Sequence, residues 1–379
     1  MSDRSEVAEQ QVSAWTKSKG RIQVLVLYTE IAPYVLAGLR ALVEEHPVDV
    51  HLVRWPVNAE APFHLDVHPR ITVRERSEFD DDTLLVFARS VDPALVITSG
   101  WMDKGYMRTC RALRRGKVPV IMNLDTAWRG TLRQWINAIL ARFWMHRTFS
   151  HIWATGSPQV KYARQLGYGK DRIRTGLYTA DTTLFSALGE RLLVDGTSPR
   201  PHRFLCVARY IPSKGHQLLC DAFAELHAEG LAGDWELWFS GTGESFKEVA
   251  GSPSGRHERI KHLGFKQAQE MQALVEQCGV FVLPSLYEPW GVVVHEHACG
   301  GMPLLLSSAV GAGERFLVEA SNGHRFVSGD KASLKTMLRM FILSSDEELR
   351  AMGKRSTELG NAWNPSAWAR TAVDLIQRK

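Results

Sequence analysis

Pro284-Ser-Leu-Tyr-Glu288-Pro-Trp-Gly291-Val-Val-Val-His-Glu296-His-Ala-Cys-Gly300-Gly-Met-Pro303 is the stretch whose reading decides the fold. Ahead of it, Gly279-Val-Phe-Val-Leu283 is a short apolar run of strand length. Behind it, Pro303-Leu-Leu-Leu306 is another. Between them a helix is expected from Val292, stopping at Gly300-Gly301, with Pro303 unable to continue it. Strand, loop, helix and strand within so few residues is a βαβ unit, the building block of a parallel sheet buried on both faces.

The same alternation extends backwards. Phe204 to Ala208 and Trp235 to Phe239 read as strands, and Gln217 to Glu229 and Glu270 to Gln277 as helices. Further upstream the strands Ile22 to Leu27, Val48 to Val53, Ala94 to Thr98, Val118 to Met122 and His151 to Ala154 alternate with helices over Tyr34 to Glu45, Leu84 to Arg89, Lys104 to Arg115 and Thr131 to Thr148. Around Asp181 to Arg203 the pattern is lost, and Ser186 to Arg200 has the Gly, Ser and Pro content of a linker. The chain is therefore expected to be an α/β protein of two similar halves with a ligand cleft between them. The expected divisions are an amino-terminal arm over 1–20, a first Rossmann-like domain over 21–185, a linker over 186–202, a second Rossmann-like domain over 203–360 and a final helix over 361–379 that returns to the first domain.

Composition bounds the reading. The 379 residues are 45% apolar and 23% charged, which excludes a mostly disordered chain. Lys and Arg exceed Asp and Glu by 46 to 41, too small an excess to argue for nucleic acid. No run approaches the roughly 18 apolar residues of a membrane span, and the first residues lack the apolar core of an export signal. Five cysteines, with no Cys-x-x-Cys pair, read as reduced thiols of a cytoplasmic protein.

Free N–H groups at the helix start near Val292, together with the helix dipole, suit an anion such as a diphosphate, and Gly291 lets the backbone approach it. Glu288 in the loop and Glu296 in the helix suit neutral hydroxyls on either side, one on a sugar ring and one on a ribose. The plain alternative is a pair of solvated glutamates serving the dipole. A second cluster, Cys206-Val-Ala-Arg209-Tyr-Ile-Pro-Ser-Lys214-Gly215-His216, presents two cations after a strand. They can neutralise a leaving diphosphate, Arg209 as a fork and Lys214 as a point charge.

These motifs resemble family 4 of the retaining glycosyltransferases, which have the GT-B fold. The family's Glu, seven residues, Glu motif matches Glu288 and Glu296, with Gly291 and Gly300-Gly-Met-Pro303 in place. Its Arg and Lys diphosphate pair matches Arg209 and Lys214. Gly241-Thr-Gly243-Glu244 resembles the family's small-residue loop, and His262-Leu-Gly264-Phe265 the segment that lines the base. Asn322-Gly323 and Tyr178-Thr-Ala-Asp181 resemble further family turns. The resemblance covers about Arg203 to Phe326. It implies two Rossmann-like domains facing across a cleft, a nucleotide-diphosphate sugar as donor, a glycan or lipid-linked acceptor and a role in surface polysaccharide or lipopolysaccharide synthesis. It implies Arg209, Lys214 and Glu288 as catalytic residues, with Glu296, Gly291, Trp290, Gly241, Gly243, Gly264 and Phe265 around the donor. No cofactor or metal is called for, since the cations stabilise the diphosphate.

The first half departs from the family. Tyr28-Thr-Glu-Ile-Ala-Pro33-Tyr34 lacks the glycine pair usual after the first strand. Where many members have a His, the strand end reads Asn123-Leu-Asp125-Thr126, which makes Asp125 the catalytic candidate there. Ser99-Gly100-Trp101-Met-Asp103-Lys104-Gly105 is a candidate acceptor lining. These departures leave a second reading, a non-catalytic nucleotide-sugar or carbohydrate binder of the same fold. A nucleotide-sugar oxidoreductase or epimerase is disfavoured because Gly241-Thr-Gly243 lacks the third glycine of the dinucleotide fingerprint. Asp80-Asp81-Asp82 is read as a helix cap ahead of a metal site, and His295 and His297 as packed or exposed side chains. Trp101, Trp128, Tyr287 and Trp290 are rings able to stack on sugars, although most tryptophans fill cores. The apolar, aromatic stretch Trp135 to Arg147 is read as a buried helix in preference to one lying on a membrane surface, a contact that would put the chain at the inner face of the membrane.

Overall fold

The computed structural model describes residues 20–57, 63–194 and 200–377. The expected arm lies outside these except for its last residue, as do residues 195–199 of the expected linker. The chain divides into two units: Met1–Asn58, Leu65–Tyr178 and Pro365–Lys379 form the first, and Ala59–His64 with Thr179–Asn364 form the second.

The first unit is built on β1 (Ile22–Tyr28), β2 (Val48–Arg54), β3 (Ile71–Glu75), β4 (Leu95–Thr98), β5 (Val120–Leu124), β6 (His151–Ala154) and β7 (Ile173–Thr175). They lie side by side in the order β3-β2-β1-β4-β5-β6-β7, all parallel. Val24 to Leu27 of β1 are essentially without solvent contact, because helices cover both faces of the sheet. Each such Val or Leu contributes about 1.5–3 kcal/mol by leaving water. Among the described residues, five helices connect the strands: Pro33–Glu45, Asp81–Val91, Lys104–Arg115, Leu132–Thr148 and Ser157–Gln165. The Asp80 carboxylate accepts from the N–H groups of Asp82 and Thr83, so the acidic triplet opens a helix as a cap.

The last helix, Pro365–Gln377, also belongs to this unit. Its Trp368 is 4% exposed, stacks on Trp153 of β6 with ring centres 4.7 Å apart, and donates from Nε1 to the Leu177 carbonyl at 2.8 Å. Gly38 of the Pro33–Glu45 helix is pressed against the same indole, where a Cβ would stand 2.9 Å from Cδ2.

The second unit carries β8 (Arg203–Val207), β9 (Glu236–Ser240), β10 (Ile260–His262), β11 (Val280–Leu283), β12 (Leu304–Ser307) and β13 (Gly323–Phe326), in the order β10-β9-β8-β11-β12-β13. Both sheets therefore run outward in two directions from their first strand, the doubly wound Rossmann pattern. The expected fold class, α/β with two Rossmann-like sheets, is the one observed.

Two expectations need correcting. The segment read as linker from Ser186 begins inside a helix, Thr182–Val194. Gly189, which looked like a breaker, marks a close approach: a Cβ there would lie 2.3 Å from the Cys299 carbonyl. The helix Leu132–Thr148 is not buried as a whole. Only Ala138, Ala141, Met145 and Thr148 are enclosed, whereas Leu132, Trp135, Ile136, Ile139, Leu140 and Phe143 are exposed.

Candidate functional site

In a doubly wound sheet the chain leaves two neighbouring strands in opposite directions at the switch point, opening a crevice beyond their carboxyl ends. In the second unit those strands are β8 and β11. The loop after β8 carries Arg209 and Lys214, and the loop after β11 carries Glu288 and Gly291. The two cations and the first glutamate thus share one end of one sheet.

Backbone contacts lock these loops together. The Leu286 N–H donates to the Ser213 carbonyl at 2.8 Å, and the Tyr287 N–H to the same oxygen at 3.3 Å. Gly215, at φ +70°, sits so close to Pro284 that a Cβ would fall 2.3 Å from its carbonyl oxygen. Across this seam the Lys214 ammonium pairs with the Glu288 carboxylate, both side chains being largely withdrawn from water (16% and 11% exposed). Ser285 Oγ also donates to Glu288, at 3.4 Å. Arg209 is exposed on the same loop. Gly241 and Gly243, after β9, lie against the Ala208 carbonyl and the backbone of Tyr210, and the Tyr210 N–H donates to the Thr242 carbonyl at 2.8 Å. The Gly241 N–H reaches the Gly264 carbonyl at 2.9 Å, which ties in the base-lining candidate segment. The Phe265 ring there meets Phe63 edge-on at 5.2 Å, a partner that the sequence pattern gave no reason to place in this unit.

Gly291, at φ +96°, turns the chain into the helix Val292–Cys299. No side-chain cap occupies that start, which leaves the first N–H groups of the helix to serve an anion. Glu296 stands one turn further along. Its side chain is half-buried with the carboxyl lodged in protein. Burial, and then the nearby Asp181 carboxylate, push it from 4.5 up to about 7. The adjacent His295 is anchored at both ring nitrogens. Its Nδ1 accepts from the Ala180 N–H at 2.9 Å and its Nε2 donates to the Gly360 carbonyl at 2.9 Å, a pattern that requires the neutral ring. Burial accordingly holds His295 down at about 4. His297 is enclosed and stacks on Phe281 at 4.1 Å.

Trp290 differs from a sugar-stacking ring. It is 4% exposed and packs toward Phe316, and its carbonyl accepts from the Ala312 N–H at 2.8 Å. Its contribution to the site is a stiff loop.

In the first unit, Asp125 follows β5 and is exposed. Its carboxylate accepts from the Tyr178 hydroxyl at 3.1 Å and its carbonyl from Gln159 Nε2 at 2.8 Å. Burial raises Tyr178 well above its ordinary value, so this phenol stays a proton donor. Asp103, in the stretch considered for the acceptor, is committed to structure. It caps the helix Lys104–Arg115 through the Tyr106 N–H at 2.9 Å and pairs with Arg76 at 3.0 Å.

Residues 195–359 match the family model described as glycosyl transferases group 1. The chain is 24% identical over 304 residues to WcaL of Escherichia coli K12, a glycosyltransferase named for colanic acid biosynthesis, covering 77% of this chain and 70% of that protein. It is 25% identical over 162 residues to an uncharacterized glycosyltransferase of Methanocaldococcus jannaschii, 42% of this chain and 43% of that one. The match to the Salmonella typhimurium WcaL covers 45% of that protein, so two of these curated relatives are spanned for less than half their length. Among solved structures, HepE of Anabaena in complex with UDP and glucose superposes with a TM-score of 0.70 at 15% identity, over 93% of this chain and 99% of that one. Sucrose-phosphate synthase of Thermosynechococcus elongatus gives 0.69 at 16% identity, over 94% and 98%. These structural likenesses establish the fold, that of the GT-B glycosyltransferases.

Proposed function

We propose that this chain, which matches the glycosyl transferases group 1 over residues 195–359, moves a sugar from a nucleotide-diphosphate donor to a glycan or lipid-linked acceptor with retention of configuration. The observation that carries this reading is the meeting of Lys214, Glu288, Gly215, Gly291 and an uncapped helix start at the β8/β11 switch point. HepE supports the donor class, having been solved with UDP-glucose.

In this reading the bond from the anomeric carbon to the β-phosphate breaks while the acceptor oxygen bonds to the same face of that carbon. The acceptor proton passes to the departing phosphate oxygen. Negative charge grows on the diphosphate, and Arg209, Lys214 and the N–H groups beyond Gly291 stabilise it. Lys214 approaches the phosphate already oriented by Glu288. Glu288 in turn accepts from hydroxyls of the donor sugar, and Glu296 from the ribose hydroxyls. Phe265, Gly264, Gly241 and Gly243 border the base and the phosphates. Asp125, held by Tyr178, is the first unit's candidate in place of the family histidine. The cations meet the charge of the leaving group, so the reading calls for no metal or cofactor. The setting is the cytoplasm, and the product belongs to surface polysaccharide or lipopolysaccharide assembly, in line with the name of WcaL.

The test is transfer from a panel of UDP- and GDP-sugars by the native chain and by Arg209→Ala and Lys214→Ala. Turnover should fall by about 100-fold or more in each variant, the scale of losing one donor to a developing charge. Undiminished turnover in both removes this assignment. Donor binding with no transfer or hydrolysis across a broad acceptor panel would instead favour the non-catalytic binder.

A further inference from the structure

A helix at the surface of a folded unit needs one apolar stripe, facing inward. The helix Leu132–Thr148 has two. At about 100° per residue, Ala138, Ala141, Met145 and Thr148 form the stripe that packs on the first unit. On the opposite side, Leu132, Trp135, Ile136, Ile139, Leu140 and Phe143 fall within an arc of about 140°. All six are exposed, Leu132 by 76% and Phe143 by 71%. Patches of large apolar side chains held together in water mark a surface that meets something else. Met102, 80% exposed, follows Trp101, whose ring packs on Trp144 of this helix at 6.4 Å.

The charge around the stripe identifies the occupant. Arg133 and Arg142 border it on its two sides, Arg147 follows it and Arg129 precedes it, and all four are exposed. Seven lysines and arginines stand between Asp125 and Asp171 with no acid among them, a larger positive excess than the whole chain carries. A second copy of this chain, docked two-fold on the same face, would bring these arginines against their equivalents, which is repulsive. An apolar stripe with an arginine rim and no acids suits the boundary between anionic headgroups and acyl chains. No helix among the described residues is long and apolar enough to cross a membrane, so this one would lie in the plane.

We propose that the outward face of Leu132–Thr148 docks the chain on an anionic lipid bilayer, inserting the Leu132 to Phe143 stripe with the arginines on the headgroups. The inference goes beyond sugar transfer, and its test needs neither donor nor turnover, so the two readings fail separately.

The full chain is sedimented with vesicles of phosphatidylcholine alone and of phosphatidylcholine with one third phosphatidylglycerol. Binding to the anionic vesicles should be at least tenfold tighter and should weaken with salt. Ile139→Ser/Phe143→Ser should lose at least tenfold, with an unchanged melting temperature because both side chains already face water. Leu132→Ser alone, in the first turn, serves should the double variant misfold. Arg133→Gln/Arg142→Gln should lower anionic binding by roughly fivefold per charge, while leaving the weak neutral binding in place. Native chain that stays in the supernatant with both vesicles overturns the proposal. So does undiminished binding by the folded serine variants. A dimer in light scattering that the serine variants dissociate would assign the face to a second copy and overturn it equally.

Discussion

Replacing Glu296 by Gln should make the protein more stable and a poorer nucleotide binder at once. The side chain is pushed from 4.5 to about 7 by burial first and by Asp181 second. The folded state therefore holds its proton more tightly than the unfolded one. Below pH 4.5 both states are protonated and the group costs nothing. As pH rises toward 7 the unfolded chain ionises first, and stability falls; above 7 the penalty is fully present. At pH 8.5 it amounts to about 3 kcal/mol, and at pH 5 to less than about 1 kcal/mol. Glutamine has the same shape and no charge. Its variant should melt roughly 6–12 °C higher than the native protein at pH 8.5, taking 2–4 °C per kcal/mol for a unit of this size. At pH 5 the gap should shrink to a few degrees. Calorimetry at both pH values measures it. In the same variant, affinity for a nucleoside diphosphate should fall about 10–100-fold, the loss of hydrogen bonds to a charged acceptor. A stability gain equal at the two pH values would refute the burial argument. Unchanged nucleotide affinity would refute the ribose contact.

Other outcomes follow from the same geometry. Native nucleotide binding should strengthen as pH rises through about 7, because ribose hydroxyls favour the ionised Glu296; titration calorimetry in buffers of different ionisation heat should register the proton release. Lys214→Ala should lower stability by about 1–3 kcal/mol in denaturant titrations, since it leaves the withdrawn Glu288 carboxylate without its cation, and the double variant Lys214→Met/Glu288→Gln should recover part of that loss. Gly215→Ala should cost at least about 1–2 kcal/mol and weaken donor binding, because φ +70° and the Pro284 carbonyl both exclude a side chain. Asp80→Ala should lower the melting temperature slightly and leave transfer unchanged, as expected of a carboxylate spent on capping its helix.

The sequence disclosed most where the chemistry is local. Leu304 to Leu306 and Val280 to Leu283 read as strands because both faces are buried and the runs are wholly apolar. Arg209, Lys214, Glu288 and Gly291 read as a site because each sits directly after such a strand. Edge strands were harder. Ile71–Glu75, Ile173–Thr175 and Ile260–His262 are short and largely polar, since among the described residues one edge of each pairs with no other strand and water reaches them. The pairing of Lys214 with Glu288, 74 residues apart, was not legible, because it depends on the β8/β11 adjacency. Thr182–Val194 reads as a linker because a glycine chosen for contact looks, in one dimension, like one chosen for a turn. Leu132–Thr148 reads as a buried helix because periodicity reports that apolar residues recur, and two opposite stripes recur as one does.

Trp368 has a consequence for synthesis. The indole that closes the layer beside Trp153 and Gly38 follows Thr179–Asn364, the bulk of the second unit, in the chain, while both of these partners come before it. A ribosome releases the second unit entire before it delivers this keystone. The first unit is therefore closed by a segment made after the bulk of the second, and until then its nascent form waits with a helix-sized gap in its wall.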